Sequence, residues 1–472
     1  MSKHALPILV LAGLIGAGLW SRPLAQGPVA IQVTNLPGVG PRPSLNWPGS
    51  GPGAAYTVQS RDTLSGGLWV NVRGEQPWPI SAEHWSDPRP ADGPAGFYRV
   101  VTVTAAQRGK LVASALTSYF TKAQLALLLA AYNISMAPQY DVGVYKLVYE
   151  TVDPLGGRTQ ASGALAVPQV TGQALPLVSY QHGTLTRKSD APSATVLGET
   201  FIGVVLATSG YVAALPDYLG LGDSPGLHPY HHASSEATAG VDMLRAARVF
   251  CASNGIALNG QLFLCGYSQG GHATMALHRE LEAYHTDEFA IAASAPMAGA
   301  YDLSGVTTDD VLGGRSQPNP YYFAYLLAAY QDVYHLAPSL VDLLAQPYDT
   351  TLPLLLNGQY TGDQINAAMP ADVRQVLKPA LLADLQTNPN ALLRIALRDN
   401  DLYRWTPRAP VRLYQCSGDQ DVIFANAQVA FESFRSRGAQ VELINPVPGG
   451  THADCVLPSL LGAKAWFDSL KQ

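Results

Sequence analysis

Gly266-Tyr267-Ser268-Gln269-Gly270 follows the apolar run Leu262–Cys265 and precedes a helical pattern from His272 to Tyr284. A sharp strand-to-helix turn of this kind lifts a serine out of a sheet, and small neighbours let the backbone pass closely. A serine hydroxyl is a weak nucleophile at neutral pH. It needs a histidine base, which in turn needs a carboxylate to orient it, and on such a scaffold the chain order is Ser, acid, His. Downstream, the strand-like run Val411–Gln415 ends in Cys416-Ser417-Gly418-Asp419. Asp419 is therefore expected at the C-terminal edge of a sheet, where ligands of open α/β sheets bind; Asp421, two residues on, is its rival. After the last strand-like run comes Gly449-Gly450-Thr451-His452, and no histidine other than His452 follows residue 335. His452 is expected on a loop just before a closing helix, Leu457–Leu470.

A tetrahedral oxyanion requires preset donors. One is expected from the backbone N–H of Gln269, the residue after the nucleophile. The second is expected from the loop after Leu177–Gln181, at the amide of Thr184, with Gly183 allowing close approach and His182 serving as a structural histidine. Asp223, His228, His231 and His232 lack metal-ligand helix spacing such as HExxH, so they read as a loop near the site, and neither a metal nor an organic cofactor is expected. Cys416 and Cys455 each lie three residues from an expected catalytic residue. They are either a disulfide joining the acid and histidine loops or two buried thiols; Cys251 and Cys265 read as packed free cysteines.

The elements that must hold these groups alternate between strand-like and helical runs. Tyr140–Val152 and Thr159–Val167 flank the turn Asp153–Gly157 as a hairpin. Leu175–Gln181, Val212–Pro216, Leu262–Gly266, Ala290–Ala295, Val411–Gln415 and Val441–Asn445 then read as buried strands with helices between most of them. This alternation implies a mostly parallel α/β sheet. More than a hundred residues separate the strands near 295 and 411, too many for a connection. The runs Tyr321–Tyr330, Pro338–Leu344, Ala371–Leu385 and Asn390–Leu397 predict an inserted helical cap, about 302–406. Before this region, AIQV, AAYTVQS, LWVNV and FYRVVTV, set between Gly, Pro, Asn and Asp, predict a small β-sandwich over 27–105. Its aromatics, Trp47, Tyr56, Trp69, Phe97 and Tyr98, are expected in its core.

The chain has 472 residues, 47% of them hydrophobic and 14% charged, with 29 basic and 35 acidic side chains. That composition excludes a disordered chain and a polybasic nucleic-acid binder. Four cysteines are too few for a disulfide-built scaffold. Residues 1–26 carry Lys3 and His4, an apolar run Ala5–Trp20 and then Ser21, Pro23 and Ala25, the layout of a signal peptide. The run is shorter than the roughly 20 residues of a spanning helix. An exported chain without an integral span is expected.

SYQHGT at 179–184, PDYLGLGDSPGLHPY at 216–230, CGYSQGGHATMA at 265–276, GDQDVIFANA from 418 and THADC at 451–455 together resemble the secretory lipase family of the α/β-hydrolase superfamily. The resemblance covers about 140–472. It implies an α/β-hydrolase fold, a helical lid over an acyl pocket, and an aspartate followed three residues later by valine, matching Asp419 and Val422. Gln420 and Asp421 depart from the usual pair at their positions. The N-terminal segment resembles a fibronectin-type-III-like module, a candidate for polymer or surface contact. The expected activity is hydrolysis of small-molecule or lipid esters through Ser268, His452 and Asp419. A peptidase or amidase using the same groups, and a non-catalytic binding or adhesion protein, are the rivals.

Overall fold

Six short strands come first in the computed structural model: β1 (Ala30–Leu36), β2 (Gly40–Asn46), β3 (Ala55–Arg61), β4 (Val70–Asn71), β5 (His84–Ser86) and β6 (Phe97–Val103). Residues 97–472 are described without interruption and, before them, 30–36, 40–51, 53–61, 69–72 and 78–86. The segment 1–26 expected to be a signal peptide lies outside the described residues. The strands make two antiparallel sheets, β1-β2-β5 and β4-β3-β6, and Ile80 adds an isolated antiparallel bridge to Tyr56 of β3. Strand β2 carries Pro41 and Pro43, which the sequence does not mark as a strand. It is tolerated because, among the described residues, β5 pairs only with Ser44–Asn46, leaving an edge beside the prolines where a missing N–H is harmless. Trp47, Tyr56, Trp78 and Trp85 fill the core between the sheets. Trp69 instead lies between the guanidinium groups of Arg61 and Arg99, 4.4 and 4.6 Å from its ring centre.

The larger sheet has nine strands: β7 (Leu111–Phe120), β8 (Val142–Val152), β9 (Arg158–Pro168), β10 (Leu175–Gln181), β11 (Val212–Pro216), β12 (Leu258–Tyr267), β13 (Ala290–Met297), β14 (Val411–Tyr414) and β15 (Val441–Ile444). Their order is β15-β14-β13-β12-β10-β11-β9-β8-β7. Strands β7 to β9 form an antiparallel meander, and β9 meets β11 antiparallel. From β11 through β15 all pairings are parallel. At the β8–β9 turn, Asp153 Oδ1 accepts the amides of Leu155 (2.8 Å) and Gly157 (2.7 Å). Strands β10 and β11 are buried along their whole length, which is why they read as unbroken apolar runs. Chain order reverses beside β10, whose neighbours are β11 and β12. The crevice at the C-terminal ends of β10 and β12 is thus the place where such sheets bind ligands. Strand β7 has no signature in the sequence, because it is an edge strand whose side chains are mostly exposed.

Between β13 and β14 lies the helical insertion, with its own apolar core. Tyr321–Tyr334 and Leu392–Asp399 are helices, as the periodicity predicts. The expected helix Pro338–Leu344 is only the single turn Leu340–Asp342. The expected Ala371–Leu385 breaks into a turn at Val373–Val376 and a helix Pro379–Thr387, because the residue before a proline avoids helical geometry while proline suits the first helical position. Tyr348–Leu355 and Gly362–Asn366 are helices that the sequence reading does not anticipate. No helix of the described residues is long and apolar enough to cross a membrane.

The small sheets are bound to the large domain by partly buried hydrogen bonds and one fully buried ion pair. Gln59 Nε2 donates to Leu155 O (3.0 Å), Asn71 Nδ2 to Pro154 O (2.7 Å) and Ser81 Oγ to Glu280 Oε1 (2.6 Å). Arg108 donates to Gly53 O (3.2 Å) and to Asp242 Oδ2 (3.1 Å), and the side chains of Arg108 and Asp242 are both fully buried. Removing one partner of a buried ion pair strands the other, although Asp242 keeps Arg245 and Thr151. Arg108→Ala is expected to lower stability by about 3 kcal/mol in chemical denaturation, while Arg158→Ala, which removes the exposed pair with Glu150, is expected to change it by less than about 1 kcal/mol.

Candidate active site

Strand β12 ends at Tyr267, and the helix Gln269–Tyr284 starts two residues later, so Ser268 makes the turn alone at φ +61°, ψ −120°. Such a conformation costs a non-glycine residue about 1–3 kcal/mol and persists only where its surroundings impose it. The Ser268 amide donates to Met297 O (2.9 Å). A side chain on Gly266 or Gly270 would collide with Gln181 O at the end of β10, and one on Gly271 with Met297 O. The glycines are required because the elbow is pressed between β10 and β13.

Asp419 and His452 arrive on two segments joined three times. Cys416 and Cys455 form a disulfide with Cα atoms 5.8 Å apart. The Gly449 amide donates to Ser417 Oγ (2.9 Å), and a side chain on Gly418 would strike Gly449 O. Asp419, its side chain fully buried, faces His452 Nδ1 through Oδ2 at 2.6 Å. Gln415 Nε2 donates to the same oxygen (2.8 Å), and the amides of Asp421 and Val422 donate to Oδ1 (2.9 and 3.0 Å). Four donors thus set the direction of this carboxylate. Asp421 accepts from Asn319 Nδ2 of the cap (2.8 Å) instead.

His452 differs from expectation in one respect. It is the first residue of the closing helix His452–Leu470, which starts five residues before Leu457. Thr451 Oγ1 accepts the Asp454 amide (3.3 Å) and the Asp454 carboxylate accepts the Thr451 amide (3.0 Å), a reciprocal cap that begins the helix ahead of Pro458. The Tyr267 hydroxyl donates to His452 O (2.6 Å), tying His452 to the residue before Ser268.

The loop after β10 passes beside the serine. A Cβ on Gly183 would lie 3.9 Å from Ser268 Cβ, and Thr184, next in the chain, shares a 2.9 Å hydrogen bond between its Oγ1 and the Tyr230 hydroxyl. Gln269 opens its helix, so its N–H has no intrahelical acceptor. Both ring nitrogens of His182 face backbone carbonyls, Gly183 O (2.7 Å) and Asp217 O (3.1 Å), which leaves none for proton transfer.

The histidine loop lies at the site, and Asp223 does not join it, being ion-paired with Lys146 at the surface (2.7 Å). Burial pushes His228 down to about 4 and His232 to about 3, and His231 well below the usual imidazole value, so all three are neutral. The ligating atoms of His231, Glu236 and His272 lie within 4.8 Å of one another, as do those of Asp419, Asp421 and His452. In both groups a carboxylate is hydrogen-bonded to an imidazole, at 2.7 and 2.6 Å. Glu236 and Asn319 escape sequence reading: the one faint signal for Glu236 is a lone charge among the small residues of SSEATAG. A cavity of about 100 Å³ opens over Ser268, walled by Tyr230, Tyr322, Leu326, Leu393 and Leu397.

The profile of the secretory lipase family matches residues 185–309. A crystal structure of the rice cell wall degrading esterase LipA from Xanthomonas oryzae is 30% identical, with a TM-score of 0.69 over 77% of this chain and 97% of that one. The chain belongs to the secretory lipase family of α/β-hydrolases. It is a carboxylic-ester hydrolase. A hydrolase from Legionella pneumophila is 29% identical with a TM-score of 0.71, over 76% of this secretory lipase and 98% of the other chain. Candida antarctica lipase A, at 18% identity and a TM-score of 0.56 over 77% and 83% of the two chains, shares the fold. No curated protein sequence matches the chain.

Burial raises the thiols of Cys251 and Cys265 to about 12, so almost no thiolate exists at pH 8. A thiol reagent at that pH is expected to find no reactive cysteine in the native lipase, two after unfolding and four after unfolding with reduction. The disulfide spans 39 residues, and replacing both Cys416 and Cys455 by Ser is expected to cost about 4 kcal/mol of stability by denaturant titration.

Proposed function

We propose that this esterase works through Ser268 as nucleophile, His452 as general base and acid, and Asp419 as the group that orients the imidazole and balances its charge. The observation that carries the reading is the Asp419–His452 bond of 2.6 Å, beside an elbow that holds Ser268 at positive φ in the wall of an apolar cavity. Ser268 Oγ attacks the ester carbonyl as His452 accepts its proton, and the amides of Gln269 and Thr184 stabilise the oxyanion at about 2.7–4 kcal/mol per donor. The C–O bond to the alcohol then breaks while His452 returns the proton to the leaving oxygen. Water, activated by His452, releases the acid from the acyl-enzyme and regenerates Ser268.

The acyl group would lie against Leu326, Leu393 and Leu397 of the cap, a lining that suits an aliphatic chain. Export is supported by the layout of residues 1–26 and by a disulfide, a bond that persists in oxidising compartments. The N-terminal sheets keep most of their large aromatic rings inside and are bonded to the catalytic domain, which supports a structural part for them ahead of contact with a polymer or surface.

Rates on p-nitrophenyl esters from acetate to palmitate test this reading. Ser268→Ala is expected to lose turnover by at least about 10⁴-fold with its melting temperature kept; retained turnover would overturn the assignment. Leu326→Trp, which fills the cavity, is expected to move the chain-length optimum to shorter esters. An unmoved optimum would place the acyl group elsewhere.

A further inference from the structure

Behind the elbow lies a buried polar cluster that ester hydrolysis as described does not use. Glu236, in the helix Ala233–Ser253, is 1% exposed. Its Oε1 accepts from Gln269 Nε2 at 2.9 Å, and its Oε2 faces His272 Nδ1 at 2.7 Å. Gln269 Nε2 also donates to His228 Nε2 (2.7 Å), while His228 Nδ1 faces Leu219 O (2.7 Å). His272 Nε2 faces Asn400 O (3.1 Å), and Asn400 Nδ2 donates to the Tyr334 hydroxyl of the cap (2.7 Å).

Two backbone carbonyls fix the protons. Leu219 O only accepts, so His228 carries its proton on Nδ1 and offers Nε2 to the Gln269 amide. Asn400 O only accepts, so His272 is protonated on Nε2. A lone pair on Nδ1 would repel the carboxylate at 2.7 Å, so a second proton lies between Nδ1 and Oε2, and the His272–Glu236 pair is neutral as a unit. That neutrality matters next to the elbow, since an uncompensated buried anion would oppose a developing oxyanion.

We infer that Glu236 is a positioning residue for the oxyanion donor. Its two oxygens diverge onto Gln269 and His272, the first and fourth residues of the elbow helix, and thereby set the direction of the Gln269 N–H. Among the described residues Gln269 Oε1 has no partner, so its side chain is held from the nitrogen, by Glu236 and His228. A buried carboxylate is costly unless its lone pairs are used. An apolar residue could fill the space, but it could not grip two residues of one helix. The inference rests on the reading of Ser268 as nucleophile and of the Gln269 amide as an oxyanion donor.

The test compares Glu236→Ala, Glu236→Gln, Gln269→Ala and the double variant Glu236→Ala/Gln269→Ala, assayed well below each melting temperature. Loss of a fixed donor costs about 10²–10³-fold in kcat, so its misdirection is expected to cost about tenfold or more in Glu236→Ala and in Gln269→Ala, with KM within about twofold. The double variant is expected to fall no further than Glu236→Ala, because both changes break one contact. Glu236→Gln can accept from Gln269 through Oε1 and donate to His272 Nδ1 through Nε2, and is expected to recover most of kcat. Wild-type kcat in Gln269→Ala, additive losses in the double variant, or a folded Glu236→Gln as impaired as Glu236→Ala would overturn the role. If Glu236→Ala fails to fold, Gln269→Ala and Glu236→Gln still decide it. Turnover retained by Ser268→Ala would instead overturn the reading of the whole site.

Discussion

The carbonyl of Gln181 presses against the elbow so closely that only glycine fits at 266 and 270, and the rest of the site depends on that contact. It forces the chain to turn at one residue, which puts Ser268 at φ +61° above the C-terminal edge of the sheet. The strain is local and is held by the parallel strands on either side, β10 and β13, whose ladders with β12 cannot slip without turning every buried side chain to the other face. A serine on a relaxed loop would have neither the fixed direction nor the helix N-terminus behind it.

What the elbow does for the serine, the joined segments do for Asp419 and His452. Asp419 and His452 are 33 residues apart in the chain, and each follows a different parallel strand. Either loop alone would be free to move by more than a hydrogen bond allows. The disulfide, the Gly449 amide on Ser417 and the tight passage at Gly418 convert two loops into one body. The helix cap at Thr451 then gives the imidazole a rigid base. Rigid support of this kind is what lets a site avoid reorganisation when charge develops.

Two additions surround this engine and both are tied to it by polar groups. The cap reaches the site through Asn319 on Asp421 and through Asn400, whose carbonyl faces His272 and whose side-chain oxygen accepts the Ala233 amide. The N-terminal sheets are tied to helices of the large domain through Ser81 on Glu280 and Arg108 on Asp242. Buried polar contacts discriminate geometry more sharply than apolar packing, because a misplaced donor loses its partner entirely. An apolar cap could slide over the body with little penalty, but one bonded at Asn319 and Asn400 has a defined closed position.

Much of this was legible in the sequence, for definable reasons. Glycines at 266 and 270, a serine between them and an apolar run before them carry their meaning locally, since the elbow is a strand-to-helix turn of a few residues. Strands β10 to β14 declare themselves by buried apolar runs, whereas β15, expected to be buried, has no buried side chain, and the secretory lipase resemblance follows from motifs of the same local kind. The failures share a cause. Strand β7 exposes its side chains, the cap helices break at Pro379, and the closing helix starts at His452 because Thr451 and Asp454 cap it ahead of Pro458. Glu236 and Asn319 have no local signature, because what makes them matter is a partner 33 or 102 residues away. The sequence by itself thus determined the fold and the residue types available for chemistry, which depend on short-range patterns of polarity and steric size. Only the tertiary structure decided which carboxylate faces His452, that Cys416 and Cys455 are joined, and what stands behind Gln269, because hydrogen bonds act over about 3 Å and that distance is set by packing between distant segments.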